Sequence, residues 1–147
     1  MKRVQVEPHL SITGACSAEW VPIKPKTDAA FLYALLHVML HEAPRERLDL
    51  AFLARWTGSP YLVGPHGHYL REPSSGRPLV WDRRTRRAMP HDAPGLDEAL
   101  EGRYAADAVE TGADGERLAE GRLEGATAFT LLVEHLVHKR DAVLELM

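Results

Sequence analysis

The chain has 147 residues, 45% hydrophobic and 27% charged, a composition that suits one ordinary soluble domain or a piece of one. Its 18 basic and 21 acidic residues are interspersed and leave a net charge of -3, so no basic surface points to nucleic acid. Cys16 is the single cysteine, which excludes an internal disulfide, a CxxC redox pair and a cysteine-built zinc or iron–sulfur site within this chain.

The N-terminus, Met1-Lys2-Arg3-Val4-Gln5-Val6-Glu7-Pro8, has no apolar stretch behind its charges. No segment approaches the roughly 18 apolar residues of a membrane span. The sequence as given is therefore expected to be cytoplasmic and not inserted in a membrane. Val4 and Val6 alternate with polar neighbours and stop at Glu7-Pro8, predicting a short strand ended by a residue that cannot donate to a ladder. Residues 9 to 18 read as a loop, and Glu19-Trp20-Val21-Pro22-Ile23 as a brief extended segment at a sheet edge.

From Asp28 to Glu42 the spacing of Leu32, Leu35, Leu36, Met39 and Leu40 predicts one face of a helix, widened by Phe31 and Val38. Thr27 or Asp28 is placed to supply an N-cap oxygen, and Pro44 fits beyond the end. A second helix, Leu50 to Trp56, is capped by Asp49 and expected to bury Phe52, Leu53 and Trp56. Tyr61-Leu62-Val63, His68-Tyr69-Leu70 and Leu79-Val80-Trp81 read as three short strands of a meander. Residues 83 to 126 read as a long polar excursion in which only Leu96 to Leu100 is a helix candidate. A last helix, Ala128 to Leu146, carries Phe129, Leu132, Val133 and Leu136 on one face. The expected fold class is α/β, or α+β in isolation: an incomplete Rossmann-like strand–loop–helix unit over residues 1–57, a meander and polar loop over 58–126, and a C-terminal helix over 127–147.

Several side chains carry possible chemistry. Glu7, at the C-terminal tip of a strand, stands where a carboxylate accepts hydrogen bonds from ribose hydroxyls, although taken alone an exposed Glu before a turn proline is the simpler reading of so short a pattern. At Thr27-Asp28 the first helical amides suit an anionic or polar ligand group, and an Asp carboxylate can accept two hydrogen bonds from a guanine edge; capping alone also explains the pair. His37 with His41, and His135 with His138, have chelating spacings but no third ligand, so a solvated helix face is the simpler reading and no metal is assigned. His66-Gly67-His68 reads as turn chemistry, Arg83 to Arg87 as a solvated basic loop, and Cys16 as an inert thiol.

Taken together, Val6-Glu7-Pro8-His9, a small-residue loop, and Glu19-Trp20-Val21-Pro22-Ile23-Lys24-Pro25-Lys26-Thr27-Asp28-Ala29-Ala30 resemble one segment of the molybdopterin oxidoreductases of the dimethyl sulfoxide reductase family. There an acidic residue and proline end a strand, and a W(I/L/V)P(I/V)(R/K)P(G/K)TDAA sequence enters a long apolar helix. Asp49 to Thr57, Pro60 to Val63, Pro78 to Asp82, Leu100-Glu101-Gly102 and Ala128-Phe129 also have counterparts, so the resemblance spans nearly the whole chain. It implies the domain that holds one guanine-dinucleotide arm of a bis-molybdopterin guanine dinucleotide cofactor. Glu7 and Pro8 would then meet the guanosine ribose, and Pro25, Lys26, Thr27 and Asp28 would line the guanine end, with Lys26 replacing the commoner glycine. The family's iron–sulfur cysteines, molybdenum ligand and second cofactor domain have no counterpart here. The resemblance thus implies an interior fragment without catalytic residues, whose partners are the remainder of a molybdenum oxidoreductase, in a parent that could be exported, and its electron-transfer subunits. The other expectation is a stand-alone module that associates with itself or another protein through an unfinished sheet and an uncovered helix face.

Overall fold

A computed structural model describes residues 1–146, with side chains described as far as Val137. The chain folds as two compact units, Met1–Arg45 together with the chain from His135 onward, and Glu46–Glu134.

In the first unit, β1 (Val4–Glu7) and β2 (Glu19–Pro22) form a two-stranded parallel sheet, with Val4 opposite Glu19 and Glu7 opposite Pro22. Parallel strands need a crossover. It is supplied by residues 8 to 18, which hold a short helix, α1 (Ile12–Ala15), where the sequence suggested only loop. Ser11 caps α1, its hydroxyl oxygen accepting from the Gly14 amide at 3.0 Å. The predicted helix after β2 is present as α2 (Asp28–His37), which runs into a π-helical turn over Val38–Glu42 before Pro44. Its apolar face is not buried: Leu32, Leu35, Val38 and Met39 are exposed, and Ala30 is the buried residue of α2.

The second unit begins with α3 (Leu50–Trp56), where the Asp49 carboxylate accepts from the Phe52 amide at 2.9 Å as the capping pattern requires. The expected buried edge is not formed. Phe52 and Trp56 are exposed and only Leu53 of the three is partly covered. The larger correction concerns residues 83 to 126. Instead of a polar excursion they supply β6 (Arg87–Pro90) and the two longest strands, β7 (Arg103–Thr111) and β8 (Arg117–Thr127). Leu96 to Leu100 is not helical; Glu98 bridges Asp82, and the Ala99 amide donates to Trp81 O at 2.8 Å.

The β7–β8 hairpin is the centre of a four-stranded antiparallel sheet of order β3–β8–β7–β4, in which β3 (Leu62–Val63) and β4 (Leu70–Arg71) are the two outer strands. The sheet curls until its outer strands meet at a Val63–Tyr69 bridge. A second hairpin, β5 (Leu79–Asp82) with β6, joins it through the Tyr61–Val80 and Arg71–Pro78 bridges. Leu62, Leu70, Leu79, Ala106 and Ala108 form the core, with Tyr104 and Leu123 packed against it. The predicted last helix is α4 (Ala128–Leu146), opened by the Ala128 amide donating to Tyr61 O and the Phe129 amide to Ser59 O. Phe129 and Leu136 are buried, whereas Leu132 is exposed. The architecture is mixed α/β: a parallel strand–helix unit, a curled antiparallel sheet and a C-terminal helix.

Candidate functional site

Because β1 and β2 are parallel, Glu7 and Pro22 end side by side, and the chain leaves β2 at that carboxyl edge toward the start of α2. The joint between them is a tight turn closed by the Thr27 amide donating to Lys24 O at 3.2 Å. Pro25 takes the position where a fixed negative φ is wanted, and Lys26 follows with φ 68°, the arrangement of a type II turn. Left-handed backbone favours glycine, which explains in physical terms why the resemblance has glycine at the position of Lys26.

Thr27 stands at the N-cap of α2 as expected, but its side chain does not cap the helix; the hydroxyl donates to Lys24 O at 2.7 Å and tightens the turn. Asp28 is the acidic residue of the first helical turn, a position favoured by the helix dipole. Val21, Pro22, Ile23 and Phe31, with Lys24, Pro25 and Thr27, enclose a cleft of about 430 Å³ at the carboxyl edge of β2. Of the six residues singled out from the sequence, Pro25 and Thr27 line this cleft. Lys26 and Asp28 flank Thr27 in the chain, and Glu7 lies opposite Pro22, one strand away. Pro8 ends β1.

Glu7 is already engaged. Its Oε1 accepts from the Ser11 amide at 2.8 Å and the Ser11 hydroxyl at 2.7 Å, while Oε2 receives only a long bond of 3.3 Å from Gln5 Nε2. The Ser11 amide, then the Ser11 hydroxyl, hold the carboxyl below the usual carboxylate range. Oε2 thus retains acceptor capacity for a further donor. A Cβ on Gly14 would collide with Glu7 Oε1, so Gly14 is required for this arrangement. Ser11 and Gly14 escaped the sequence reading; the small-residue run beginning Ser11-Ile12-Thr13-Gly14 was their signal.

His37 and His41 have ring centroids 4.8 Å apart, and His37 Nε2 lies 3.7 Å from Glu42 Oε1. Among the described residues no group of three His, Cys, Asp or Glu side chains is placed to hold a metal ion. The His138 side chain lies outside the described residues. His66 belongs to a structural latch in the second unit. The fully buried Glu110 carboxylate accepts from the His66 and His68 amides at 3.0 and 3.1 Å, and lies 2.9 Å from His66 Nδ1, which must carry the hydrogen because the carboxylate can only accept.

No family model matches the chain. In an alignment 115 positions long that takes in 69% of the chain, it is 35% identical to the A subunit of the sulfite dehydrogenase of Allochromatium vinosum. The likeness supports a relationship with the molybdopterin oxidoreductases. The matched region covers 12% of that relative's length.

Proposed function

We propose that this chain is the part of a molybdenum oxidoreductase catalytic subunit that receives the guanosine end of a molybdopterin guanine dinucleotide, and that it performs no bond-breaking step by itself. The observation that carries the reading is the 35% identity to a sulfite dehydrogenase component over most of the chain and only 12% of the relative. In support, α/β folds bind nucleotides outside the carboxyl ends of parallel strands, where this chain has its cleft and the start of α2. The apolar lining suits a flat base, Thr27 and the neighbouring amides offer polar contacts, and Asp28 would accept from the guanine edge. Glu7 Oε2 and the Pro8 turn would face the ribose, with Pro25 and Lys26 closing the base end. The bound group would supply the redox chemistry of the complete enzyme, and the remaining catalytic domains with their electron-transfer partners would complete the assembly.

Titration of the chain with GMP and AMP, followed by amide resonances of residues 21–31, tests this. The expected result is weak binding, with a dissociation constant on the order of millimolar, that prefers GMP and loses the preference in Asp28→Asn. Equal response to both nucleotides overturns the guanosine assignment, and dye-linked sulfite turnover by the purified chain overturns the non-catalytic reading.

A second reading, a self-associating or protein-binding module, is favoured by one observation: Leu32, Leu35 and Met39 of the α2 segment are exposed. Light scattering at high concentration separates it, since a monomer counts against association.

A further inference from the structure

The second unit holds a cleft that the reading above does not use. It lies between the β5–β6 and β7–β8 hairpins, with a volume of about 340 Å³. Its apolar surface is made by Trp81 with Ala88, Ala105 and Ala106, and the small alanine side chains leave the space open. Trp81 is held flat by stacking on Tyr104, with ring centroids 4.5 Å apart and an 8° interplanar angle.

Three arginines line this space: Arg86, Arg87 and Arg122. The one acidic side chain lining it is Asp107, 3.6 Å from Arg122. Counting these four gives a local charge of +2 (three Arg less one Asp) in a chain whose net charge is -3. Some other arginines of the unit have carboxylate partners: Arg77 has Asp92, Arg83 has Asp97 and Arg117 has Glu120. Arg86 and Arg87 have no carboxylate partner among the described residues. Arg86 moreover has φ 54°, one of two non-glycine residues in the left-handed region among the described residues. Guanidinium pairs recognise planar and tetrahedral oxyanions through two parallel hydrogen bonds.

We propose that this cleft is a binding site for a small phosphate monoester, its dianionic phosphate held by Arg86, Arg87 and Arg122 and its apolar part lying on Trp81 and the alanines. The charge of the site matches a phosphate dianion, and the Trp81 ring beside the arginines favours an organic ester over a free ion. The cleft volume suits a small ligand and not a folded partner.

The test is titration of the full chain with phenyl phosphate at low salt, read from the Trp81 indole N–H resonance, identified by its loss in Trp81→Phe. Saturable one-to-one binding is expected, with inorganic phosphate competing more weakly. Arg87→Gln and Arg122→Gln should each weaken it about tenfold, the effect of one charge-assisted contact. Arg86→Asn, which keeps a residue tolerant of left-handed backbone, should weaken it similarly. Ala105→Leu leaves every charge in place and fills the cleft, so it should abolish phenyl phosphate binding; Arg117→Gln, outside the cleft, should change nothing. Absence of saturation, an equal loss in Arg117→Gln, or undiminished binding in Ala105→Leu overturns the proposal. So does a response to polyglutamate without one to phenyl phosphate, which would make the patch a protein-docking surface.

Discussion

The two units spend their apolar residues differently. In Glu46–Glu134, Leu62 and Leu70 have no exposed surface at all, and small residues let the strands close around them: a Cβ on Gly125 would come within 2.7 Å of Leu70 Cδ1. In Met1–Arg45, Leu35 is 46% exposed, and Val4, Ile12, Trp20, Leu32 and Met39 are exposed with it. Hydrophobic burial is the main favourable term in folding, so the sheet of the second unit has a closed core of its own even though Phe52 and Trp56 of α3 are exposed, whereas the strands and helix of Met1–Arg45 leave most of their large apolar side chains uncovered. A two-stranded parallel sheet is seldom found without helices on both faces. The reading proposed above calls for this contrast, since it gives the first unit further chain to cover it.

The contrast is broken most directly by truncating one leucine on each side. Leu70→Ala removes a side chain from a closed core and should cost about 3 kcal/mol in urea unfolding. Leu35→Ala removes exposed surface and should stay within about 0.5 kcal/mol. Comparable losses would show that α2 is covered in solution, and the difference between the units would vanish.

Next in size is the Glu110 latch. Its carboxylate satisfies two backbone amides and the His66 ring, so Glu110→Ala should cost on the order of 2 kcal/mol through the loss of charge-assisted bonds to part-buried donors. Burial, the largest influence on its pKa, pushes it up, but the His66 side chain and the His68 and His66 amides outweigh burial and leave it below the usual range. The unfolded state therefore binds the proton more readily. The latch's contribution is complete above the unfolded carboxyl value, about 4.3, and is lost as pH falls through the lower folded value. Unfolding midpoints between pH 7 and 3 should fall more steeply for the native chain than for Glu110→Gln. Gly64 belongs to the same device, since a Cβ there would approach Glu110 Cδ to 2.6 Å.

Asp82 sharpens the comparison at still lower pH. The Thr85 hydroxyl first, then the Asp97 amide, hold its carboxyl down at about 2. Its support of the β5–β6 turn is thus present above the unfolded Asp value of about 3.9 and lost as pH falls through about 2. Amide exchange at Thr85 and Asp97 should accelerate over that window in the native chain. In Asp82→Asn it should already be fast at neutral pH, with no matching change in residues 4–22.

The first unit was legible because its signals are local: β-alternation stopped by proline, and a leucine-rich helix bounded by Thr27 and Pro44. The hairpin at the heart of the second unit was missed because its inward positions are Ala106, Ala108 and Gly125 instead of β-branched residues, so the period of two carries little hydrophobic contrast. A turn signal was present in Asp114-Gly115, where the Gly112 amide donates to Glu116 O at 2.7 Å and Gly115 has φ 86°. The buried Glu110 gave no sequence warning, since its partners His66 and His68 lie more than forty positions away. At the cleft of the first unit the turn residues were legible. The Ser11 bonds to Glu7 were not, because they depend on a helix of four residues that no periodicity announces.

The smallest expected effect lies in that turn. Lys26 holds a left-handed backbone at roughly 1–2 kcal/mol for a residue with a Cβ, and glycine would remove that strain while adding roughly 0.5–1 kcal/mol of unfolded-state entropy. Lys26→Gly should therefore slow amide exchange at Thr27 only slightly, corresponding to a gain of about 0.5 kcal/mol. Lys26→Val, whose branched side chain is ill suited to positive φ, should accelerate it. If valine is tolerated as well as glycine, the turn does not hold its left-handed residue in solution. The start of α2 would then lack the fixed geometry that a nucleotide seat at this edge requires.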